Sequence, residues 1–400
     1  MRNRLPLFYV VTVFFWFSLY AYVPYVTPYA EGMGADLRLV GLIAGAYGFT
    51  QMLVRFPLGV LSDKLQKRKI FVLFGLAFAA VSGVCVFLFP GPLTLLLARG
   101  LGGVAASAWV TFAILGVSYY PPAQAAKSLG FLNAANALGR MAALLLGGFA
   151  AQWLGVPWAF LLGGLAGVAG LVMGAGIAEK PPDAGQKPPR LADLLEAARN
   201  RQLLCASLLG ILIQYVMFAT TFGFTPLAAT KLDASQLQLG LLGVTSTLPG
   251  LLVSPLAGTL LPRKLGVKGT LGIGFALAGL GCALVPFCRE LWQLFAVNII
   301  GNIGAAAVFT LLMGLCICGV SPERRATAMG FFQAVYGLGM FLGPFAMGWL
   351  SHGLGLAPAF LFTGAVGGAG AIAAVCFSIR GHLRLGDGDY SRAGVKRPRT

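Results

Sequence analysis

Carboxylates are scarce in this chain. Its 400 residues hold 12 Asp and Glu against 29 Lys and Arg, and only 10% of residues are charged. A soluble domain carries about a quarter charged residues, so a solvated globular architecture is excluded. The two histidines, His352 and His382, supply no pair for a zinc site or a charge relay. Among the seven cysteines only Cys316 and Cys318 lie close in sequence. Two residues apart on a helix, they face different ways. The cysteines read as small apolar packing residues, so no metal and no cofactor is expected. A long polar stretch that could fold into a soluble catalytic domain is also missing, and the chain is not expected to be an enzyme.

What the chain has in abundance is hydrophobic length. Apolar residues make up 58% of it, in stretches long enough to cross a hydrocarbon core of about 30 Å. Spans are expected near residues 6–30, 37–61, 70–89, 93–118, 127–153, 157–178, 203–229, 237–261, 268–288, 291–318, 326–350 and 357–379. Lipid offers the backbone no hydrogen-bond partners, so each must be a helix. The 56 glycines suit close helix packing in lipid. The stretch from Leu5 to Ala30 is too long for a signal peptide, and no small-residue cleavage site follows it. It is kept as the first span.

The basic surplus follows the topology. With these spans, all but six of the 29 Lys and Arg fall in alternate loops and the termini on one side of the membrane. Arg38, Lys231 and Arg289 lie on the other side, and Arg55, Arg99 and Arg140 lie inside spans. The positive-inside rule then places both termini in the cytoplasm. The net charge of +17 is a membrane signature and implies no nucleic acid.

The two halves of the chain are related. Offset by 200 residues, Pro122, Gly130, Phe131, Gly139, Gly148, Gly155 and Phe160 coincide with Pro322, Gly330, Phe331, Gly339, Gly348, Gly355 and Phe360. An even number of spans per half makes the copies parallel repeats about an axis along the membrane normal. The expected architecture is an all-α membrane protein, with twelve transmembrane helices in two six-helix bundles. An N-terminal bundle spans 1–178, a charged and proline-rich linker 179–202, a C-terminal bundle 203–379 and a basic tail 380–400.

The segment Gly59-Val60-Leu61-Ser62-Asp63-Lys64-Leu65-Gln66-Lys67-Arg68-Lys69, after the second span, resembles the G-x-L-x-D-[RK]-x-G-[RK]-[RK]-[RK] signature of the major facilitator superfamily. Gln66 stands where that signature has its second glycine. Arg99-Gly100-Leu101-Gly102-Gly103-Val104-Ala105-Ala106 is similar to the family's R-x-x-Q-G-x-G-A stretch. The fifth span departs from the drug–proton antiporters of the family. It carries Gly139-Arg140-Met141-Ala142-Ala143 where they have G-x-x-x-G-P. The resemblance implies a multi-pass protein of a prokaryotic inner membrane, working as a monomer by alternating access with a proton as coupling ion. It also implies gating roles for Gly59, Asp63, Lys64 and Arg68, with Arg55 beside them.

Solute contacts are sought among polar residues inside spans. An intramembrane charge costs about 2.5–3.5 kcal/mol on insertion scales, so each one needs a reason. Arg55, Arg99 and Arg140 have no carboxylate deep in the membrane to answer them, and guanidinium binds carboxylate or phosphate bidentately. Arg140 lies roughly 20 Å into its span, near mid-membrane. Asn133, Asn136 and Arg140 recur at helical spacing, as do Asn298 and Asn302. Gln214 on the seventh span and Tyr25, from a Ser18–Tyr22–Tyr25–Tyr29 stripe on the first, complete the candidates. The expected function is secondary transport of a small organic anion. The alternative is proton-coupled efflux of drugs or amphiphiles.

Overall fold

The computed structural model describes residues 5–376 apart from 66, 122–123, 180–199, 319 and 321–323. Among the described residues, twelve helices are long and apolar enough to span a membrane: α1 Leu5–Gly32, α2 Leu37–Ser62, α3 Arg68–Leu88, α4 Pro92–Ser118, α5 Lys127–Trp153, α6 Val156–Gly174, α7 Arg201–Thr230, α8 Gln236–Gly258, α9 Leu260–Phe287, α10 Leu291–Leu315, α11 Thr327–Leu354 and α12 Leu356–Cys376. No strand occurs among the described residues. The 179–202 segment lies outside the described residues except for Glu179 and residues 200–202, and so does the 380–400 tail.

Local chemistry sets the helix ends. Asn200 caps α7 by accepting from the amides of Gln202 and Leu203. Ser235 and Gln238 form a capping box on α8. Gly155 and Gly355, equivalent in the repeat, turn the chain at φ +102° and +89° between α5 and α6 and between α11 and α12. Only glycine takes that conformation without strain. The ninth span differs from expectation, because helix begins at Leu260, turns at Gly266 (φ 72°) and then continues. The two halves also share a clasp. Lys69 Nζ donates to the Ala175 carbonyl at 2.7 Å, and Lys268 Nζ donates to the Val375 carbonyl at 2.8 Å.

Besides α9 with its turn at Gly266, three spans are broken. In α1 the helix stops at Tyr20, passes through a tight 3-10 segment Val23–Tyr25, and resumes at Val26. Pro24 cannot donate to the carbonyl four residues back, and its ring crowds it. In α7 the residues Thr220–Phe224, just before Pro226, widen into a π-turn. The breaks meet across the molecule, where the Thr27 hydroxyl donates to the Gly223 carbonyl at 2.6 Å. In α4 the helix bends at Ala108.

Within each half, small residues bring helices into backbone contact. Gly164 and Gly167 of α6 lie on Ala80 and Val84 of α3, and Gly364 and Gly367 of α12 lie on Gly279 and Ala283 of α9. Between the halves, α2 packs on α11 and α5 on α8. At one end these seams are shut. A Cβ added to Gly41 would lie 2.5 Å from the Pro344 carbonyl and 2.8 Å from Gly348 Cα, and one added to Gly240 would lie 2.6 Å from the Leu144 carbonyl. The same end is fastened by Asp36 and His352 at 4.0 Å, by Arg38 over the Trp349 ring at 4.8 Å, and by Gln152 accepting from the Leu237 amide at 3.2 Å. Toward the other end a Cβ at Gly59, Gly130, Gly250, Gly258 or Gly330 would meet nothing within 4 Å. The halves are therefore joined at the end bearing the α1–α2 and α7–α8 turns, whereas at the end bearing the α2–α3 turn these glycines of α2, α5, α8 and α11 face open space.

Candidate functional site: arginines over an aromatic floor

Below the closed end, the broken part of α1 faces α2, α4 and α7 across a narrow cavity lined by Leu19, Tyr20, Val23, Tyr47, Arg99, Phe218 and Phe222. Its aromatic rings run without interruption from one half to the other. Tyr47 stacks on Phe218 at 6.3 Å, Phe218 contacts Phe222 at 5.0 Å, and Phe222 meets the edge of Tyr20 at 6.2 Å. Tyr20 continues to Trp16 at 5.7 Å, and Trp16 to Trp109 of α4 at 5.1 Å.

A guanidinium caps this chain at two places. Arg99 lies 4.8 Å from the centroid of the Tyr47 ring, and Arg140 lies 4.4 Å from that of Tyr20. Arg99 is 4% exposed, whereas Arg140 is half-buried. Neither makes a hydrogen bond or ion pair with a described residue, and both Nε atoms are buried without a partner. Ring faces offset part of the cost, about 0.5–2 kcal/mol each, but leave the N–H donors unused. Arg55 is 7% exposed and donates one hydrogen bond, from Nη1 to the Tyr336 hydroxyl at 3.2 Å, which ties α2 to α11. Two acceptors nearby are also buried and unused: Gln51 Oε1, one turn before Arg55, and Asn136 Oδ1, one turn before Arg140.

The other candidates are placed as follows. Asn133 is exposed. Gln214 is buried one turn before Phe218. Asn298 and Asn302 line a second cleft within the C-terminal half, together with Thr220 and Thr221. Their amides are committed there: Asn298 Nδ2 donates to the Ser246 hydroxyl at 2.7 Å, and Asn302 Nδ2 donates to Asn298 Oδ1 at 3.0 Å. Tyr25 is 1% exposed and donates to the Gln236 carbonyl at 3.3 Å, across the closed seam of α1 and α8. Asp63 and Lys64 extend the α2 helix beyond the membrane span, as part of Leu37–Leu65. The Arg68 and Lys69 amides at the start of α3 both donate to Glu179 Oε1.

A two-part repeat of this architecture, broken α1 and α7 at its centre, matches one known pattern. The profile described as the Major Facilitator Superfamily matches residues 8–228 and again 207–392. The chain belongs to that superfamily. It is 24% identical over 372 residues to an uncharacterized MFS-type transporter of Methanocaldococcus jannaschii, covering 90% of this chain and 93% of the relative. It is also 24% identical over 350 residues to the inner membrane transport protein YajR of Escherichia coli, covering 84% and 74%. In fold it is similar to a bacterial homolog of the human lysosomal transporter Spinster, described as inward-facing and occupied. The TM-score is 0.77 at 16% identity, over 93% of this chain and 96% of that one. As a superfamily member it is a multi-pass membrane protein of the secondary-transporter type.

Sequence reasoning missed Tyr20, Phe218 and Phe222 in this superfamily member. The available signal was the Trp16–Tyr20 pair, one helical turn apart and ending at the break before Pro24. The stripe favoured instead turns inward. Ser18 is fully buried, and Tyr22 stacks on Phe160 at 4.7 Å and bonds to the Ser82 hydroxyl at 3.0 Å.

Proposed function

We propose that this superfamily member carries a small organic anion across the plasma membrane of a prokaryote by alternating access, as a monomer. The observation that supports it is the pair Arg99 and Arg140, two guanidiniums inside the membrane without a hydrogen bond or counter-charge among the described residues. A carboxylate or phosphate between them would use their free N–H donors and neutralise them. The apolar body of such a solute would lie on Trp16, Tyr20, Phe218 and Phe222, a mostly apolar wall with few polar anchors, as binding sites usually have. Asn136 and Gln214 flank this position from α5 and α7, and Asn133 lies farther out on the open side. Asn298, Asn302 and Tyr25 serve as supports.

The positive-inside bias makes the open end cytoplasmic, so this conformation is the inward-facing one. The gate toward the outside is the Gly41–Gly348 and Gly148–Gly240 pair of seams. The gate toward the cytoplasm is built from Gly59, Asp63, Lys64 and Arg68 with Arg55, and it closes when α2 and α11 come together at that end. Efflux by exchange for a proton on a side-chain carboxylate is disfavoured, because no Asp or Glu lies in the inner part of a span.

Binding to the folded state raises its melting temperature. The purified protein should melt higher with millimolar benzoate or salicylate and not with benzamide, which keeps the ring and loses the charge. Equal shifts with the amide and the acid would remove the anion reading.

A further inference from the structure

The unpaired arginines bear on what the carrier can do when empty. Arg99 is sealed, and Arg140 keeps partial exposure toward the open end. Rocking to the opposite conformation shuts that end, so Arg140 loses its water as well. No acid lies in the inner part of a span among the described residues. Glu31 is the penultimate residue of α1, Asp36 precedes α2, Asp63 follows it, and the others lie in connecting segments or the tail. His352 is third from the end of α11, at the closed seam. Arg99 is already bare, so closing over a bare Arg140 adds a second uncompensated charge, and that costs more than closing over a guanidinium neutralised by a bound anion.

We infer that this protein is an obligate anion exchanger: it changes conformation with an anion bound between Arg99 and Arg140 and stays locked when empty. The inference rests on the anion reading of the same site and adds its coupling rule. Each anion moved one way requires an anion moved back. The driving force is then the gradient of the counter-anion, and a proton bound to the protein plays no part.

The conformation of the empty protein tests this without any solute. The full chain is placed in lipid nanodiscs in low-salt Tris buffer, on a background free of native cysteines. Spin labels at Leu154→Cys and Lys231→Cys report the distance across the closed end. The empty parent protein should show one short distance. The double variant R99Q/R140Q, with the charges removed, should show a second, longer distance at least tenfold more populated than in the parent. R99K/R140K, which keeps the charges, should behave as the parent, so a mere packing defect is told apart. If the parent already samples the long distance as often as R99Q/R140Q, exchange is overturned. The anion reading then still stands or falls by its own melting-shift test. In liposomes, labelled benzoate should enter at least tenfold faster when benzoate is inside than when only benzamide is inside. Equal rates would overturn exchange and leave anion transport standing.

Discussion

The Arg140 guanidinium lies 4.4 Å from the centroid of the Tyr20 ring, on a half-buried helix face that offers it no carboxylate. The ring holds the cation in place while its N–H edge stays free, a suitable arrangement for receiving an anion. Tyr20→Phe keeps the ring and should leave affinity near that of the parent. Tyr20→Leu removes the π face and should weaken anion binding by about fivefold, in line with roughly 1 kcal/mol for a partly desolvated cation–π contact. Titration of benzoate against intrinsic tryptophan fluorescence measures both, since Trp16 adjoins Tyr20.

The glycine seam at the closed end packs backbone against backbone because side chains are absent there. Gly41→Val would drive Cβ to 2.5 Å from the Pro344 carbonyl, a distance that backbone cannot yield without moving apart. The variant should part α2 from α11 at this end and shift the population outward. An impermeant maleimide applied from outside should then label a cysteine placed at Val23 several-fold faster than in the parent. Gly368→Ala on α12, with open space around it and in neither gate, should leave that labelling rate unchanged.

How much of this was legible beforehand differs by level. The spans were, because a run of some twenty apolar residues has one reading in lipid. The repeat was too: Gly155 and Gly355, matched by sequence offset alone, take the same left-handed turn. The face of α1 was not. Counting Ser18, Tyr22, Tyr25 and Tyr29 as one stripe assumes an unbroken helix, and the 3-10 segment at Val23–Tyr25 resets the phase. Periodicity is reliable only between breaks, and here the break lies at the site. Arg99 and Arg140 were visible as isolated charges in apolar runs, but the rings they rest on were hidden among 29 phenylalanines and 11 tyrosines.

Asn298 and Asn302 illustrate a second limit. Their spacing is a true polar stripe, yet a stripe does not say what it bonds to. Their amides hold α10 to α8 and to α7 through Ser246 and Thr221. Asn302→Leu should therefore lower the melting temperature, because it strands buried partners at about 1–3 kcal/mol. It should change the benzoate dissociation constant by less than twofold. A large affinity loss without a loss of stability would instead put Asn302 in the solute site.

On the anion proposal, Arg140 meets the charge of the transported solute. Labelled benzoate uptake into benzoate-loaded liposomes, for the parent protein, Arg140→Lys and Arg140→Ala at matched reconstitution, tests it most directly. Loss of a charge-assisted contact worth about 1.5–3 kcal/mol predicts that Arg140→Ala falls by about tenfold to a hundredfold, with Arg140→Lys in between. Uptake by Arg140→Ala at the parent rate would rule out that contact.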